Sequence, residues 1–316
     1  MSRVAVLKGG RSFERQVSLR SGARVQDSLK RLGHEVTPID AGIDLVQQLR
    51  AAEADVAFVA LHGRDGEDGT VQELLEIAGI PYTGSGVLAC TRASDKVLAK
   101  HLMGEAGIPT PEFFAFSETA FRELGAAKAL PAMEERLDFP IVVKPASGGS
   151  ALGIRFARTG DDVPGALVSA FSYDSRVLLE RHVAGRDLAV SILGDDPLPV
   201  VEAIPREEDF YDFESRYQIG RTDFACPADL PGDAAERAQE LAMRTFRLLG
   251  CAGFGRVDLM LDEAGDLWVL EANAIPGLTE TSLLPQAAEA AGIGFDELVG
   301  RVLELALQGA AAPGAG

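Results

Sequence analysis

The fold is decided by two short segments near the end of the chain, GRVDLML at residues 255–261 and LWVLEAN at residues 267–273. Each alternates polar and apolar residues, which is typical of a half-buried β-strand. The turn between them, residues 263–266, is acidic and contains a glycine. The segments are therefore predicted to form an antiparallel hairpin in which Asp258 lies opposite Glu271 and Arg256 lies opposite Asn273.

The hydrophobic pattern selects this register, because a slip of one residue would bury a carboxylate. The apolar face is predicted to carry Val257, Leu259, Leu261, Trp268, Leu270 and Ala272. The polar face offers two carboxylates, an amide oxygen and a guanidinium, and Mg²⁺ prefers oxygen ligands. This face therefore suits Mg²⁺ held against phosphates. The alternative is a solvated hairpin face, because any half-exposed sheet shows the same alternation.

The composition is that of a globular protein of two or three domains, with 316 residues, 47% hydrophobic and 25% charged. Its 30 Lys and Arg against 48 Asp and Glu give a net charge of −18, which opposes non-specific binding to nucleic acid or to an anionic membrane. The first apolar run is too short for a signal peptide, and no stretch reaches membrane-spanning length, so a soluble cytoplasmic protein is expected. Cys90, Cys226 and Cys251 lack disulfide or zinc spacing and are predicted to be small buried hydrophobic residues.

The first part of the chain alternates strands and helices, which favours a parallel sheet with helices on its faces. The predicted strands are residues 4–7, 35–39 and 56–60, and the predicted helices are residues 18–32, 44–52, 70–78 and 87–105. A Gly/Pro segment at residues 107–111 interrupts this pattern.

The middle part favours antiparallel hairpins with helices to one side, and the last part adds further strands, the opening hairpin and two helices. The predicted strands are residues 113–116, 141–144, 154–157, 177–181, 188–193 and 198–204, and the predicted helices are residues 234–249 and 295–307. The tail, residues 309–316, is predicted to be disordered.

Residues 144–153, KPASGGSALG, place a lysine at a strand end before a flexible Gly/Ser loop. Successive N–H groups in such a loop form an anion-binding concavity, to which Lys144 adds a charge and Ser150 a donor. An ordinary hairpin loop is the alternative. No GxxxxGK[ST] sequence occurs, and GSGVLA at residues 84–89 is a weak dinucleotide match, so a Rossmann cofactor site is not expected.

Two other segments follow predicted strands of the first sheet. LHGRDGEDG, residues 61–69, occupies a position where parallel sheets bind ligands, although a surface turn is an alternative. Its acidic residues do not have calcium-loop spacing. KGGRSFE, residues 8–14, opens a helix, so that Glu14 and Ser18 could face a bound ammonium group; helix capping by Ser12 and Glu14 explains the segment equally well.

Taken together and in order, these segments resemble the D-alanine–D-alanine ligases of the ATP-grasp superfamily, from Arg3 to about Leu307. The motifs that carry the resemblance are GGRSFERQVS at 9–18, HG at 62–63 with GEDG at 66–69, KP at 144–145 with GS at 149–150, FYDFESRY at 210–217, RVD at 256–258, EAN at 271–273, and PGLT at 276–279 with SL at 282–283. Jointly they are highly specific.

The resemblance implies an α/β fold, α+β in its central and C-terminal parts, with an ATP-grasp architecture preceded by a parallel-sheet N-terminal domain. It implies an N-terminal substrate-binding domain at residues 1–95, a central ATP-grasp subdomain at 96–182, and a C-terminal subdomain at 183–308 that carries the metal site and a lid at 210–230. ATP would bind between the last two, with two Mg²⁺ ions that Mn²⁺ could replace. The family likeness also suggests a homodimer.

By the same resemblance, the metal ligands are Asp258, Glu271 and Asn273. The nucleotide is assigned to Lys96, Lys144, Glu180, Arg181, Val183 and Asp187. Of these, Lys96 and Lys144 hold phosphates and Glu180 reads the adenine amino group. Asp187 takes a position where a Glu usually holds the ribose.

The resemblance also assigns the amino-acid sites. Glu14 anchors the ammonium of the first D-alanine, with Ser150 and Tyr217 hydrogen-bonded beside it. The reacting carbonyl is surrounded by His62, Arg256 and the Gly277 amide, and the second carboxylate by Ser282 and Leu283. The implied reaction forms an acylphosphate from the first D-alanine, and the amine of the second displaces phosphate.

Three residues depart from the family pattern. Gly148 and Ala151 stand where Glu and a second Ser are frequent, and Arg216 replaces a Lys beside Tyr217. These changes bear on loop closure and on substrate choice. The leading interpretation is a D-alanine–D-alanine ligase of peptidoglycan precursor synthesis. The alternatives are a related ligase for other amino or hydroxy acids and a non-catalytic nucleotide-binding protein. The set of Asp258, Glu271, Asn273 and Arg256 argues against the non-catalytic protein, because a protein that only binds a nucleotide needs no charge-stabilising cluster beyond the phosphates.

Overall fold

The computed structural model of the chain describes residues 1–205 and 222–311. The N-terminal sheet has three parallel strands in the order β2–β1–β3, namely β1 (Arg3–Lys8), β2 (Glu35–Asp40) and β3 (Val56–Val59). All of β3 and the apolar centre of β1 are buried, as expected for a parallel sheet that is covered on both faces. The predicted parallel sheet is confirmed.

Five helices of the described chain accompany this sheet: α1 (Arg15–Arg31), α2 (Leu45–Ala52), α3 (Thr70–Ala78), α4 (Val87–Ser94) and α5 (Lys96–Glu105). The prediction of one continuous helix over 87–105 was wrong. Asp95 has extended backbone angles, and its carboxylate accepts hydrogen bonds from the Val97 and Leu98 amides, which is the geometry of an N-cap. The break makes Lys96 the first residue of a new helix.

The central part contains β4 (Phe113–Ser117), α6 (Glu118–Arg122), α7 (Leu130–Leu137), β5 (Ile141–Pro145), β6 (Arg155–Ala157), α8 (Val163–Phe171) and β7 (Arg176–Arg181). Its sheet is antiparallel, as predicted, in the order β4–β7–β5–β6. Ile141, Val143 and Leu179 pack into the core with the helices. Since side chains alternate along a strand, Lys144 and Glu180 lie on the opposite face.

The last part contains β8 (Gly185–Leu193), β9 (Asp196–Pro197), β10 (Val201–Pro205), β11 (Thr222–Ala225), α9 (Ala234–Leu249), β12 (Phe254–Asp262), β13 (Leu267–Asn273), α10 (Leu283–Ala290) and α11 (Phe295–Ala311). Its antiparallel sheet has the order β11–β10–β8–β12–β13, with β9 paired to β8. Helix α11 continues past residue 307 into the tail that was predicted to be disordered, because alanine favours helix. Residues 312–316 lie outside the described chain.

The register of the β12–β13 hairpin is confirmed, with Asp258 opposite Glu271 and Arg256 opposite Asn273. Beyond that point Leu259 pairs with Val269, so Leu270 is an extra residue in a β-bulge. Val269 is fully buried, whereas Trp268 and Leu270 are only half-buried. The prediction that Trp268 and Leu270 share the core face was therefore wrong, because the bulge reverses the alternation between residues 267 and 270.

Two buried hydrophobic clusters stabilise the described chain. The larger one joins the N-terminal and C-terminal sheets, and the smaller one lies between the central sheet and its helices. Cys90 is buried as predicted, but Cys226 and Cys251 are only half-buried. No helix in the described ranges is both long and apolar enough to cross a membrane. The domain boundaries near residues 95 and 182 stay a prediction.

Candidate active site

The polar face of the hairpin carries its own ion pair. The Nε and Nη2 atoms of Arg256 donate to the two carboxylate oxygens of Asp258 over 2.5 and 2.9 Å. Both side chains are buried. Residues two apart on a strand point to the same side, so the RVD sequence allows this bidentate contact.

The second carboxylate of the hairpin is neutralised from another part of the chain. Lys96, at the start of α5, places its Nζ 2.9 Å from Glu271 Oε2 and donates to the Gly148 carbonyl over 2.6 Å. Lys96 therefore ties the hairpin to the Gly/Ser loop. The Asn273 side-chain oxygen accepts a hydrogen bond from the Ile275 amide over 3.1 Å.

The donor set of the hairpin fits magnesium. Asp258, Glu271 and Asn273 contribute oxygen atoms only, the ligand type that Mg²⁺ prefers. In residues 1–205 and 222–311, no group of three or more His, Cys, Asp or Glu side chains is arranged to hold a metal ion. Two carboxylates and one amide leave coordination positions to be filled by water or phosphate, which is the usual way in which proteins bind Mg²⁺.

Glu180 lies between two lysines on the central sheet. Its oxygens contact Lys144 Nζ and, at 2.8 Å, Lys100 Nζ. Burial opposes ionisation of this carboxyl, but the two ammonium groups outweigh it and lower the pKa of Glu180. Lys100 was missed in the sequence. Its position one helical turn after Lys96 was the available signal, since such residues share a helix face.

Lys100 also connects this cluster to the hairpin. Its Nζ donates to the Thr110 hydroxyl, which in turn donates to the Val269 carbonyl over 2.8 Å. The Val269 amide donates to the Pro109 carbonyl over 2.8 Å. Residues 109 and 110 thus hold both backbone polar atoms of Val269 beside the bulge.

Glu14 is a buried carboxylate that accepts a hydrogen bond from the Ser150 hydroxyl. A Cβ atom on Gly63, whose φ is +70°, would lie 2.3 Å from a Glu14 oxygen, so glycine at position 63 permits the close approach. Burial and the negative charge of Glu67 raise the pKa of Glu14 to about 7. Glu14 and Ser150, which the resemblance assigns to the same substrate ammonium, are therefore in direct contact.

His62 joins three parts of the chain. Its Nδ1 lies 3.2 Å from the Ile275 carbonyl oxygen and 3.4 Å from Glu67 Oε1, and its Nε2 lies 3.0 Å from Ser21 Oγ. A carbonyl only accepts, so in the neutral ring Nδ1 carries the hydrogen and Nε2 accepts from the serine hydroxyl. No role was predicted for Ser21, which stands in no motif, or for Glu67, although it stands within GEDG.

Several of these groups line a cavity of about 780 Å³, a size typical of small-molecule sites. Its lining includes Glu14, Glu67, Lys96, Gly149, Glu271 and Asn273. At its wall, Phe13 and Tyr173 meet edge to face with ring centroids 5.6 Å apart. The cavity thus brings together the predicted ammonium anchor, Glu14, and two of the three predicted metal ligands, Glu271 and Asn273.

The predicted site for the second carboxylate lies at the start of α10. Ser282 precedes this helix and Leu283 is its first residue. A helix N-terminus favours negative charge. The Ser282 hydroxyl accepts from the Thr279 amide over 3.0 Å, and a Cβ on Gly277 would lie 2.7 Å from it, so the loop is closely packed here.

Of the other predicted residues, three do not line this cavity and one lies outside the described residues. The Arg181 side chain binds Glu112 at 3.1 Å, on the face opposite Glu180. Val183 is half-buried between β7 and β8, and Asp187 pairs with Met260 in the sheet. Tyr217 lies outside the described residues, as does the family departure at Arg216. The other two departures are in the Gly/Ser loop, where Gly148 has φ +92° and Ala151 has φ +58°.

Comparison with known proteins identifies the family. The protein-family model of the D-Ala-D-Ala ligase C-terminus matches residues 102–304, and the family model of the N-terminus matches residues 42–85. The D-alanine–D-alanine ligase of Syntrophotalea carbinolica is 48% identical over 301 residues, which cover 95% of both chains. The ligase of Geobacter sulfurreducens is 41% identical, over 98% of this chain and 96% of its own.

Solved structures agree. The D-alanine–D-alanine ligase of Bacillus anthracis complexed with ATP is 32% identical, with a TM-score of 0.83 over 98% of this chain and 99% of its own. The VanG D-Ala:D-Ser ligase of Enterococcus faecalis is 27% identical, with a TM-score of 0.81 over 96% and 99%. The expected ATP-grasp fold is thereby confirmed, and the chain belongs to the D-alanine–D-alanine ligase family.

Proposed function

We propose that this chain joins two D-alanines into D-alanyl-D-alanine for peptidoglycan precursor synthesis, with ATP converted to ADP through an acylphosphate. One observation carries the proposal: a single cavity holds a buried carboxylate suited to an ammonium, Glu14, and the paired groups Glu271 and Lys96 suited to phosphate and its metal. The relatives named as D-alanine–D-alanine ligases, which match over nearly the whole chain, support the substrate.

The first D-alanine is bound through its ammonium at Glu14, beside the Ser150 hydroxyl. Because the pKa of Glu14 is raised to about 7, an ammonium within contact distance stabilises its ionised form. This placement leaves the substrate carboxylate directed away from Glu14, toward the hairpin side of the cavity. Tyr217 is assigned to the same group by the family likeness.

The nucleotide phosphates are assigned to Lys96 and Lys144. Glu180, kept ionised by its two lysines, is a permanent hydrogen-bond acceptor, which suits the amino group of adenine. Arg181, Val183 and Asp187 are assigned to the adenine and ribose on the family likeness. Two Mg²⁺ ions, which Mn²⁺ can replace, would be held by Asp258, Glu271 and Asn273 and would neutralise phosphate charge.

Negative charge develops on the reacting carbonyl when the second amine attacks. Arg256 supplies a cation on the polar face of the hairpin. Gly277 belongs to the loop that follows the hairpin, and His62 contacts that loop at the Ile275 carbonyl. An oxyanion there competes with Asp258 for the guanidinium of Arg256, so stabilisation is strongest when the charge is greatest. The carboxylate of the second D-alanine is assigned to Ser282 and Leu283 at the start of α10.

The proposed setting is the cytoplasm, with D-alanine and ATP as small-molecule partners, a homodimeric assembly, and neither nucleic acid nor membrane. The net charge of −18 supports the last two points.

The test is ADP release by the purified chain with ATP and a panel of D- and L-amino acids and D-lactate. Turnover with D-alanine alone, and dipeptide as its product, is the expected result. Turnover only with a mixed pair, such as D-alanine with D-serine, would instead indicate a related ligase. ATP binding without turnover on any member would indicate a non-catalytic protein.

A further inference from the structure

Leu278 is held by helix α1 through both of its backbone polar atoms. Its amide donates to Ser21 Oγ over 3.1 Å, and its carbonyl accepts from Arg24 Nη1 over 2.6 Å. Ser21 and Arg24 are three residues apart on α1 and therefore share a helix face. Leu278 itself is buried. The loop after the hairpin is thus fixed by a helix that is far away in the sequence.

The guanidinium of Arg24 is itself held from two further directions. It lies over the Phe295 ring of α11, with 3.9 Å between Arg24 Cζ and the ring centroid. Its Nε is 3.4 Å from Glu280 Oε1. A planar guanidinium can stack and donate at once, which an ammonium cannot do in the same way. The position of Arg24 is therefore well determined.

The two contacts of α1 reach both sides of the site. Ser21, which accepts from Leu278, also bonds Nε2 of His62. Beyond Leu278, the Thr279 amide donates to Ser282 Oγ over 3.0 Å. Both peptide groups that flank Leu278 are therefore fixed, and the chain passes directly into the N-terminus of α10.

We propose that Arg24, assisted by Ser21, is a positioning residue for the acceptor amino acid, acting by fixing the loop at Leu278 in front of α10. This inference rests on the proposed function, because it assumes that the start of α10 receives the acceptor carboxylate. The residue acts through the loop and touches no substrate itself.

Two physical effects follow from loss of Arg24. The Leu278 carbonyl loses a charged donor, so the loop can depart from the geometry that presents the helix amides. Among the described residues, Glu280 also keeps Arg20, 3.2 Å away, as its only cation beside the proposed anion-binding site. Both effects weaken binding of the acceptor carboxylate. ATP and the first D-alanine are bound by other elements and should not be affected.

Arg20 provides a matched control, since it contacts the same Glu280 and has no bond to Leu278 among the described residues. Initial rates of the full chain over a range of D-alanine concentrations separate the half-saturation constants of the two D-alanines. In Arg24→Ala we expect one of these constants to rise on the order of 10-fold, the scale of one charge-assisted hydrogen bond. The other constant, the KM for ATP and kcat should stay within about twofold. Arg20→Ala, which removes a cation from Glu280 but no bond from Leu278, should raise the same D-alanine constant by no more than about twofold.

If Arg24→Ala does not fold, Phe295→Leu and Arg24→Lys carry the test. The first removes the ring beneath the guanidinium and the second its planar fork, while both keep a positive charge. Each variant should raise the same D-alanine half-saturation constant as Arg24→Ala does, by severalfold. Unchanged D-alanine constants in folded variants, equal effects of Arg24→Ala and Arg20→Ala, or a parallel rise in the KM for ATP would overturn the inference. A wild-type chain that forms no dipeptide would instead refute the proposed function.

Discussion

Arg256 binds Asp258 through two hydrogen bonds, of 2.5 and 2.9 Å, although both residues stand on the same strand. Glu271, opposite Asp258, is paired through a single 2.9 Å contact with Lys96, which comes from helix α5. Each carboxylate assigned to metal thus has its own cation. Because an unpaired charge shielded from water is costly, each pair offsets its own carboxylate before ligands enter and supplies a cation for the proposed reaction.

Glu271→Gln should lower kcat by at least about 10²-fold, because it removes a charge from a preorganised site while preserving its shape. It also frees Lys96 from its partner. The measurement is ADP formation over a range of Mg²⁺ concentrations. Glu263→Gln, in the exposed turn of the same hairpin, is the control and should behave as the wild type. Near-normal turnover of Glu271→Gln at saturating Mg²⁺ would show that the hairpin does not hold the metal.

Glu14 makes the stability of the ligand-free chain depend on pH. Its pKa of about 7 in the fold lies above the ordinary 4.5, so between these values the folded chain keeps a proton that the unfolded chain has lost. Stability should therefore fall as the pH rises through this window, by up to about 3 kcal/mol. Glu14→Gln should abolish this part of the fall. Urea denaturation at pH 5 and pH 8 measures the free energy of unfolding of both chains. An equal loss between these pH values in Glu14→Gln and in the wild type would contradict the role of Glu14.

Much of the hairpin could be predicted from its sequence. The positions of Asp258 and Glu271 follow from alternation alone, because one register keeps the carboxylates out of the core. The bulge at Leu270 could not be predicted, since alternation assumes a regular ladder. It depends on contacts from residues 109 and 110, which are distant in the sequence.

Other features depend on which side chains meet after folding. The Asp95 break was hidden, because the apolar pattern continues through the helix. The contact of Lys100 with Glu180 joins helix α5 to strand β7 of the central sheet. The two residues are far apart in the sequence, and no local pattern predicts that they meet. The family resemblance supplied most candidate site residues, but it did not show that Arg256 and Lys96 are paired with carboxylates.

Gly153 and Gly148 offer a matched test of packing in the Gly/Ser loop. Both have a positive φ, +76° and +92°, so alanine costs each about 1–2 kcal/mol of backbone strain. A Cβ on Gly153 would also lie 2.6 Å from the Tyr173 ring and 2.8 Å from Pro145, whereas one on Gly148 meets no described atom within 4 Å. Gly153→Ala should therefore lose about 2 kcal/mol more unfolding free energy than Gly148→Ala. Equal losses would show that Tyr173 does not pack on the loop.

Lys100→Met tests the buried cluster around Glu180. The substitution keeps an apolar stem but leaves Glu180 with Lys144 as its only described ammonium partner. We expect a loss of about 3 kcal/mol in unfolding free energy, the lower end for breaking a buried ion pair, because one cation remains. Lys128→Met, at an exposed position, should change it by less than about 0.5 kcal/mol. Equal stabilities of the two variants would contradict the role of Lys100.

The central claim is that phosphate transfer to one D-alanine is coupled to attack by the amine of another. It is tested most directly by quantifying all products of the wild-type chain given only ATP, Mg²⁺ and D-alanine, with nucleotides and dipeptide separated by chromatography. The account predicts one ADP and one phosphate for each D-alanyl-D-alanine. AMP and pyrophosphate as products, or ADP formed without a matching amount of dipeptide, would contradict it.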